Sequence, residues 1–206
     1  GEMLGAKGVL INFVVRHLRK MVPAFQLPRD KGRTVTHFHA AVAAGQHRGL
    51  ERPKLGPNSI AFLQYTGGTT GVSKGATLIH RNVVANLMPA DAWFAPVMSR
   101  VEGRQLTIVC ALPLYHIFAL TACYMLGARK GMLNLLITNP RDIPGFIKTL
   151  RRHRVHLFPA VNTLFNALAP HPEFAQIAFS ELLISNGGGM AVQQATAEKW
   201  LALTHC

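Results

Sequence analysis

Residues 65–75 read Tyr-Thr-Gly-Gly-Thr-Thr-Gly-Val-Ser-Lys-Gly. Gly67, Gly68, Gly71 and Gly75 permit backbone angles and close approaches that other residues do not. Successive backbone N–H groups in such a loop make an anion-binding concavity. Thr66, Thr69, Thr70 and Ser73 add hydroxyl donors, and Lys74 adds a mobile positive charge. Many donors, little bulk and one cation is the combination that holds a polyphosphate. From Gly68 to Lys74 the count matches the G-x-x-x-x-G-K-[ST] loop, but Ser73 stands where that motif has glycine and Gly75 where it has Ser or Thr. The hydroxyl that holds a metal in that motif is therefore missing. A ligand-free surface loop is the bland alternative, and it would not need a lysine and four hydroxyls together.

Two further stretches carry candidate chemistry. Leu112-Pro-Leu-Tyr-His-Ile-Phe118 places Tyr115 and His116 together in an otherwise apolar run. A lone histidine among apolar residues reads first as a hydrogen-bonded core side chain. Gly187-Gly188-Gly189 leaves backbone against which a ring or an alkyl chain could lie flat, or makes a plain turn before a helix.

The elements that must position these residues follow from periodicity. Ser59–Tyr65, Ala76–Ile79, Leu106–Leu112, Met132–Ile137, Val155–Phe158 and Leu182–Ser185 read as strands. Helices are predicted over Asn82–Trp93, with Pro89 disturbing the middle, over His116–Leu126, from Asp142 as cap through Leu150, over Asn162–Leu168, and from about Val192. Strand–helix alternation predicts an α/β fold, a largely parallel sheet with helices on both faces. The loops 66–75, 113–116 and 186–190 each follow a strand. Ligands of parallel sheets sit at the carboxyl ends of strands, so one shared site is expected. Ahead of this lies a basic helical and linker segment, residues 1–58. It includes an amphipathic helix over residues 8–22 closed by Pro23 and Pro28, and a short Ala-rich helix over 35–50. Residues 59–206 form the α/β part.

Composition narrows the classes. Of 206 residues, 49% are apolar and only 15% charged, which describes a globular chain with a buried sheet. The start at Gly1 and the stop at Cys206, just after a helix-like run, read as the ends of a fragment. The net charge of +13 divides as +7 over residues 1–54 and +6 over the rest. Such charge suits an anionic partner: a nucleotide, lipid headgroups or nucleic acid. Nucleic acid is disfavoured, because no zinc spacing, RNA-recognition signature or basic patch interleaved with aromatics is present. Arg151-Arg-His-Arg154 reads as a solvated helix end. Cys110, Cys123 and Cys206 form no CxxC pair, so neither a disulfide framework nor a zinc site is indicated. Residues 105–128 lack Asp, Glu, Lys and Arg. Their Pro113, His116 and threonines fit a buried strand, loop and helix better than a membrane span.

Leu63-Gln-Tyr-Thr-Gly-Gly-Thr-Thr-Gly-Val-Ser-Lys-Gly75 resembles the phosphate-loop signature of adenylate-forming enzymes. Leu112–Phe118 and Ser185-Asn-Gly-Gly-Gly-Met-Ala191 resemble that superfamily's next two motifs, in order. The texture of Leu135–Pro144 and Val161–Ala167 is similar to bacterial long-chain fatty-acid–CoA ligases. The resemblance covers residues 59–203 and, less diagnostically, Lys7–Pro28. It implies part of the large N-terminal domain of an adenylate-forming enzyme. It implies a two-step reaction using ATP, Mg²⁺ and coenzyme A: a long-chain fatty acid attacks the α-phosphate, and the thiol then displaces AMP. It implies that Thr66, Gly67, Gly68, Thr69, Thr70, Gly71, Ser73, Lys74 and Gly75 hold phosphates, with Lys74 and His116 catalytic. Tyr115, His116, Gly187, Gly188 and Gly189 would line the adenylate region. Ile117, Phe118, Leu120, Val161 and Phe165 would wall an acyl tunnel, although apolar helix faces usually make core.

The family's magnesium-binding glutamate, its ribose-binding aspartate and its C-terminal lysine lie beyond Cys206 on this resemblance. No metal ligand is assigned within the chain, and Lys199 does not replace that lysine. The fragment is expected to form no acyl-CoA alone and to self-associate through surface its neighbours would cover. A cytoplasmic location, peripheral contact of residues 8–22 with the inner membrane surface and a homodimer of the parent complete the expectations. A nucleotide-binding module or regulator without ligase chemistry stays open as the alternative.

Overall fold

The computed structural model describes residues 5–22, 35–36, 38–66, 74–101 and 103–206, with the backbone alone at Thr66. Two compact units, Gly1–Pro53 and Lys54–Cys206, are described separately. Pro23 and Pro28, expected to close the first helix, lie outside the described residues, as do Gly67–Ser73.

In the first unit, α1 (Gly5–Phe13) runs into a π-helical turn, Val14–Leu18, and α2 spans Phe38–Gly45. The single helix expected over residues 8–22 is thus shorter and changes its winding at Val14. Among the described residues of this unit only Gly8 is buried.

The second unit opens with a hairpin. β1 (Ile60–Thr66) and β2 (Lys74–Ile79) pair antiparallel, Tyr65 opposite Gly75 and Thr66 opposite Lys74. The strand expected after the glycine loop is present, with one correction: the two strands form a separate antiparallel sheet and do not join the parallel one. α3 (His80–Met98) follows, its first turn held by the Ile79 N–H donating to Asn82 Oδ1 at 3.1 Å. It runs through both Pro89 and Pro96, beyond the predicted end at Trp93. Each proline removes one N–H donor. The helix persists because its far half is anchored: Asp91 pairs with Arg129 and Lys130, and Met98 is buried.

The main sheet is four-stranded and wholly parallel. It contains β3 (Thr107–Cys110), β4 (Leu133–Leu136), β5 (Leu157–Ala160) and β6 (Ile184–Gly187), in the order β4-β3-β5-β6. Between β3 and β4 the chain passes through α4 (Ile117–Ala119), a π-helical stretch Leu120–Met125, and α5 (Leu126–Arg129). These short pieces share out the uncharged run at 105–128. No helix among the described residues is long and apolar enough to cross a membrane. α6 (Ile143–Leu150) joins β4 to β5, with Asp142 accepting from Gly145 N at 3.1 Å as the expected cap. α7 (Asn162–Leu168) joins β5 to β6, and α8 (Gln194–Thr204) follows.

Alternation along the strands sends side chains to opposite faces. Ile108, Cys110 and Leu157 pack with Met98, Ala119 and Cys123 on one face. Val109, Phe158 and Ala160 pack with α6, α7 and α8 on the other, around Trp200. The Trp200 ring lies 4.6 Å from Phe165 and 5.0 Å from Phe158, and its Nε1–H donates to Ser185 Oγ at 2.8 Å. Helices therefore cover both faces of a parallel sheet, as the sequence predicts.

Candidate active site

The strand order fixes where a site can form. From β3 the chain moves outward to β4, then returns past β3 to β5 and β6. The direction reverses between β3 and β5, and the crevice at the carboxyl ends of such a pair is where open parallel sheets bind ligands. Pro159 sharpens that crevice. Lacking an N–H, it cannot extend a ladder, and the register of β5 with β3 is limited to Ile108 opposite Leu157, while β5 keeps four pairs with β6.

Three loops meet at this point. After β3, the turn Pro113–His116 is closed by His116 N donating to Pro113 O at 2.9 Å. After β5 comes Val161, and after β6 come Gly188 and Gly189. Gly188 N donates to Ala160 O at 3.1 Å, which ties the β6 loop to the end of β5. A Cβ on Gly188 would sit 2.5 Å from Phe118 Cζ, so the Phe118 ring occupies the room that glycine leaves. Gly189 has φ +77°, a left-handed conformation suited to glycine, and a Cβ there would touch Val161 Cγ1 at 3.5 Å. The glycines thus have packing reasons of their own, beside any ligand.

The hairpin is tied to the same place. Gln64 Nε2 donates to Tyr115 O at 2.8 Å, across 51 residues of sequence. Reading the sequence gave Gln64 no role; its only signal is a polar residue inside the strand Ile-Ala-Phe-Leu-Gln-Tyr. Of the expected phosphate-binding residues, Gly67, Gly68, Thr69, Thr70, Gly71 and Ser73 lie outside the described residues. Thr66 and Lys74, paired across the hairpin, close the loop between them. Gly75 lies under the Tyr65 ring, where a Cβ would stand 3.2 Å from Cζ.

His116 is exposed, with its ring tilted against Tyr115 at 4.6 Å. The buried core histidine that its apolar neighbours suggested is therefore not what forms. Among the described residues the buried histidine is His156, at the amino end of β5. Its Nδ1 accepts from Thr107 N at 3.0 Å, and Nε2 lies 3.3 Å from Glu181 Oε2. Burial holds its pKa below the usual histidine value, against the opposing pull of Glu181. Tyr115 borders a cavity of about 390 Å³ between the ends of β3 and β4, lined also by Leu112, Pro113, Ile137 and Thr138. Among the tunnel candidates, Phe118, Leu120 and Val161 are half-buried and Ile117 is exposed. Phe165 is core, packed on Trp200, and lines a smaller cavity of about 200 Å³ with Gly187, Val192 and Thr196. No group of three His, Cys, Asp or Glu among the described residues could hold a metal ion. Asp91, Glu173 and Glu181 face Lys or Arg partners.

Residues 10–206 match the family described as AMP-binding enzyme. The chain belongs to that family. It is 50% identical over 205 residues to a long-chain-fatty-acid–CoA ligase of Escherichia coli O157:H7, an alignment covering 99% of the chain and 35% of the relative. The chain thus spans about a third of the length of the curated relatives it matches. Among solved structures it is similar to McyG A-PCP complexed with phenylalanyl-adenylate (TM-score 0.65, 20% identity, 81% of this chain and 26% of that one). It is likewise similar to the fatty acyl-adenylate ligase from L. pneumophila in complex with acyl adenylate and pyrophosphate (TM-score 0.63, 20% identity, 74% and 27%). At that identity the likeness shows a shared fold, and a fold alone does not assign a site.

Proposed function

We propose that the chain is the phosphate-loop and adenylate-region part of an AMP-forming long-chain fatty-acid–CoA ligase. The observation that carries this reading is the 50% identity to such a ligase along 99% of the chain. The convergence of the hairpin and three loops on one sheet crevice supports it.

On this reading the reaction has two displacements. The fatty-acid carboxylate attacks the α-phosphorus of ATP and pyrophosphate leaves; the thiol of coenzyme A then attacks the acyl carbon and AMP leaves. Thr66, Gly67, Gly68, Thr69, Thr70, Gly71, Ser73, Lys74 and Gly75 form the loop for the β- and γ-phosphates, where fixed donors stabilise the charge of the departing pyrophosphate. Tyr115 and His116 stand at the carboxylate, with His116 exposed and able to reach a ligand. Gly187, Gly188 and Gly189 flank the adenylate. Phe118, at Gly188, is the strongest of the acyl-wall candidates; Leu120 and Val161 border it, and Phe165 stiffens the wall from the core. Mg²⁺ neutralises phosphate charge in such reactions. Among the described residues no group of His, Cys, Asp or Glu offers a donor set for it, and the family resemblance puts its carboxylate ligand beyond Cys206. A cytoplasmic enzyme with residues 8–22 resting on the inner membrane surface fits the basic, exposed α1 segment.

Carboxylate-dependent ATP–pyrophosphate exchange on the full-length parent tests the reading. Exchange should peak with long-chain acids and fall about a hundredfold in Lys74→Ala, the size expected for losing one transition-state donor. A folded parent that exchanges with no acid would leave a nucleotide-binding module instead. The 206-residue chain alone should form no thioester, checked by chromatography of acyl-CoA.

A further inference from the structure

The amino ends of the parallel strands, opposite the crevice, carry a second cleft. Its volume is about 500 Å³. One wall is Arg151, Arg152, His153 and Arg154, between α6 and β5; the other is the segment 176–181 leading to β6. Leu150, Val155 and Ile177 contribute apolar lining, and Gln176 and Ser180 add polar groups.

The charges here do not balance. Arg151 Nη2 donates to Gln176 Oε1 at 2.7 Å and to Glu173 O at 3.3 Å, and its Nη1 lies 3.9 Å from the Glu173 carboxylate. Arg154 Nη1 donates to Glu181 Oε1 at 2.9 Å, and Arg104 pairs with Glu181 as well. Arg104 first, with Arg154 and His156 adding to it, holds the Glu181 carboxyl below its usual range. Glu181 thus serves two guanidiniums at once, and Glu173 serves a third. Arg152 has no carboxylate partner among the described residues. Cations are favoured at the end of α6 by its dipole. That accounts for one or two of them, and not for three arginines lining one cleft together with apolar side chains.

We propose that this cleft binds a phosphate ester, with Arg151 and Arg152 taking the phosphate oxygens and the apolar lining taking the organic part. Guanidinium forks match phosphate geometry, and Arg151 is already oriented by Gln176. The same chemistry is offered by a phospholipid headgroup and by a free phosphate. The site is separate from the glycine loop and does not depend on the reaction proposed above.

The test uses the 206-residue chain, titrated with inorganic phosphate and, separately, with phosphatidylcholine vesicles with and without phosphatidylglycerol. Amide shifts report the first and co-sedimentation the second. Saturable, salt-sensitive binding is expected, with phosphate shifts at residues 150–155 and 176–181, and about tenfold weaker in Arg151→Gln/Arg152→Gln. The double variant Arg48→Gln/Arg52→Gln, with the same charge change elsewhere, should bind as the parent sequence does. Arg152→Gln alone, which removes no side-chain hydrogen bond or ion pair, guards against a folding defect. Binding of phosphate alone assigns a free ester, and binding of anionic vesicles alone, weakened in Arg151→Gln/Arg152→Gln, assigns a headgroup to this cleft rather than to residues 8–22. Binding of neither, equal weakening in both double variants, or shifts confined to residues 66–75 would overturn the proposal.

Discussion

The units Gly1–Pro53 and Lys54–Cys206 put their apolar side chains in opposite places. In the second, Ile108, Val109, Phe158 and Leu168 are fully buried between a sheet and its helices. In the first, Leu10 and Leu18 are 65% and 70% exposed, although α1 carries apolar residues at helical spacing. Periodicity makes a helix in both units. Among the described residues only the second supplies a second layer, because strands distant in sequence pair and offer an apolar surface for the helices to cover. An amphipathic helix without such a layer has a face and no core.

Substitutions should separate the units by size of effect. Phe158→Ala removes the ring between Phe146, Phe165 and Trp200 and should cost about 3–5 kcal/mol in urea unfolding, whereas Leu10→Ala should cost less than about 0.5 kcal/mol. Comparable costs would break the comparison. Gly188→Ala comes next: its Cβ must displace the Phe118 ring, for about 1–3 kcal/mol. Phe118→Ala in the same chain should recover part of that loss, because the obstructing ring is gone.

The polar anchors give smaller effects, with a sign that depends on pH. Asp91→Asn breaks the pairs with Lys130 and Arg129 and should cost about 1–2 kcal/mol, less than a fully buried pair because both cations are partly exposed. Hydrogen bonds from Lys130, then from Arg129, hold the Asp91 carboxyl below its usual range. Its contribution is present above the ordinary carboxylate value and disappears as pH falls through the lowered one. The pKa of His156 is lowered by burial, so its contribution is complete above about pH 6.5 and is lost as pH falls from there through the folded-state value. Acid should therefore loosen the second unit in two stages, and His156→Gln should remove the upper one. A single stage in wild type, followed by tryptophan fluorescence, would contradict this.

How legible the molecule was in its sequence varies with the range of the interaction. α7 was read at its residues, and α6 with its Asp142 cap, because both are local patterns. β5 and β6 begin two residues later than their apolar runs suggested, since strand limits are set by the partner strand. Pro89 was read as a disturbance, yet α3 passes through it, held by ion pairs to residues 38 and 39 positions away. His116, whose apolar neighbours suggested a core side chain, is exposed: an apolar run marks burial of the run and does not say which side chain turns outward.

The sequence by itself determined the glycine loop, the order of the three motifs, the strand–helix alternation and the charge, because these depend on residue type and short spacing. Only the tertiary structure decided that the glycine loop closes an antiparallel hairpin, that Gln64 holds that hairpin to Tyr115, and that Phe118 fills the room left by Gly188. It also decided that Glu181 gathers Arg104, Arg154 and His156 at the far end of the sheet. The hairpin aside, these join residues 25 to 77 positions apart, and hydrogen bonds and ring contacts act only at a few ångströms. Which residues come that close is settled by strand order and crossovers, which no local pattern contains.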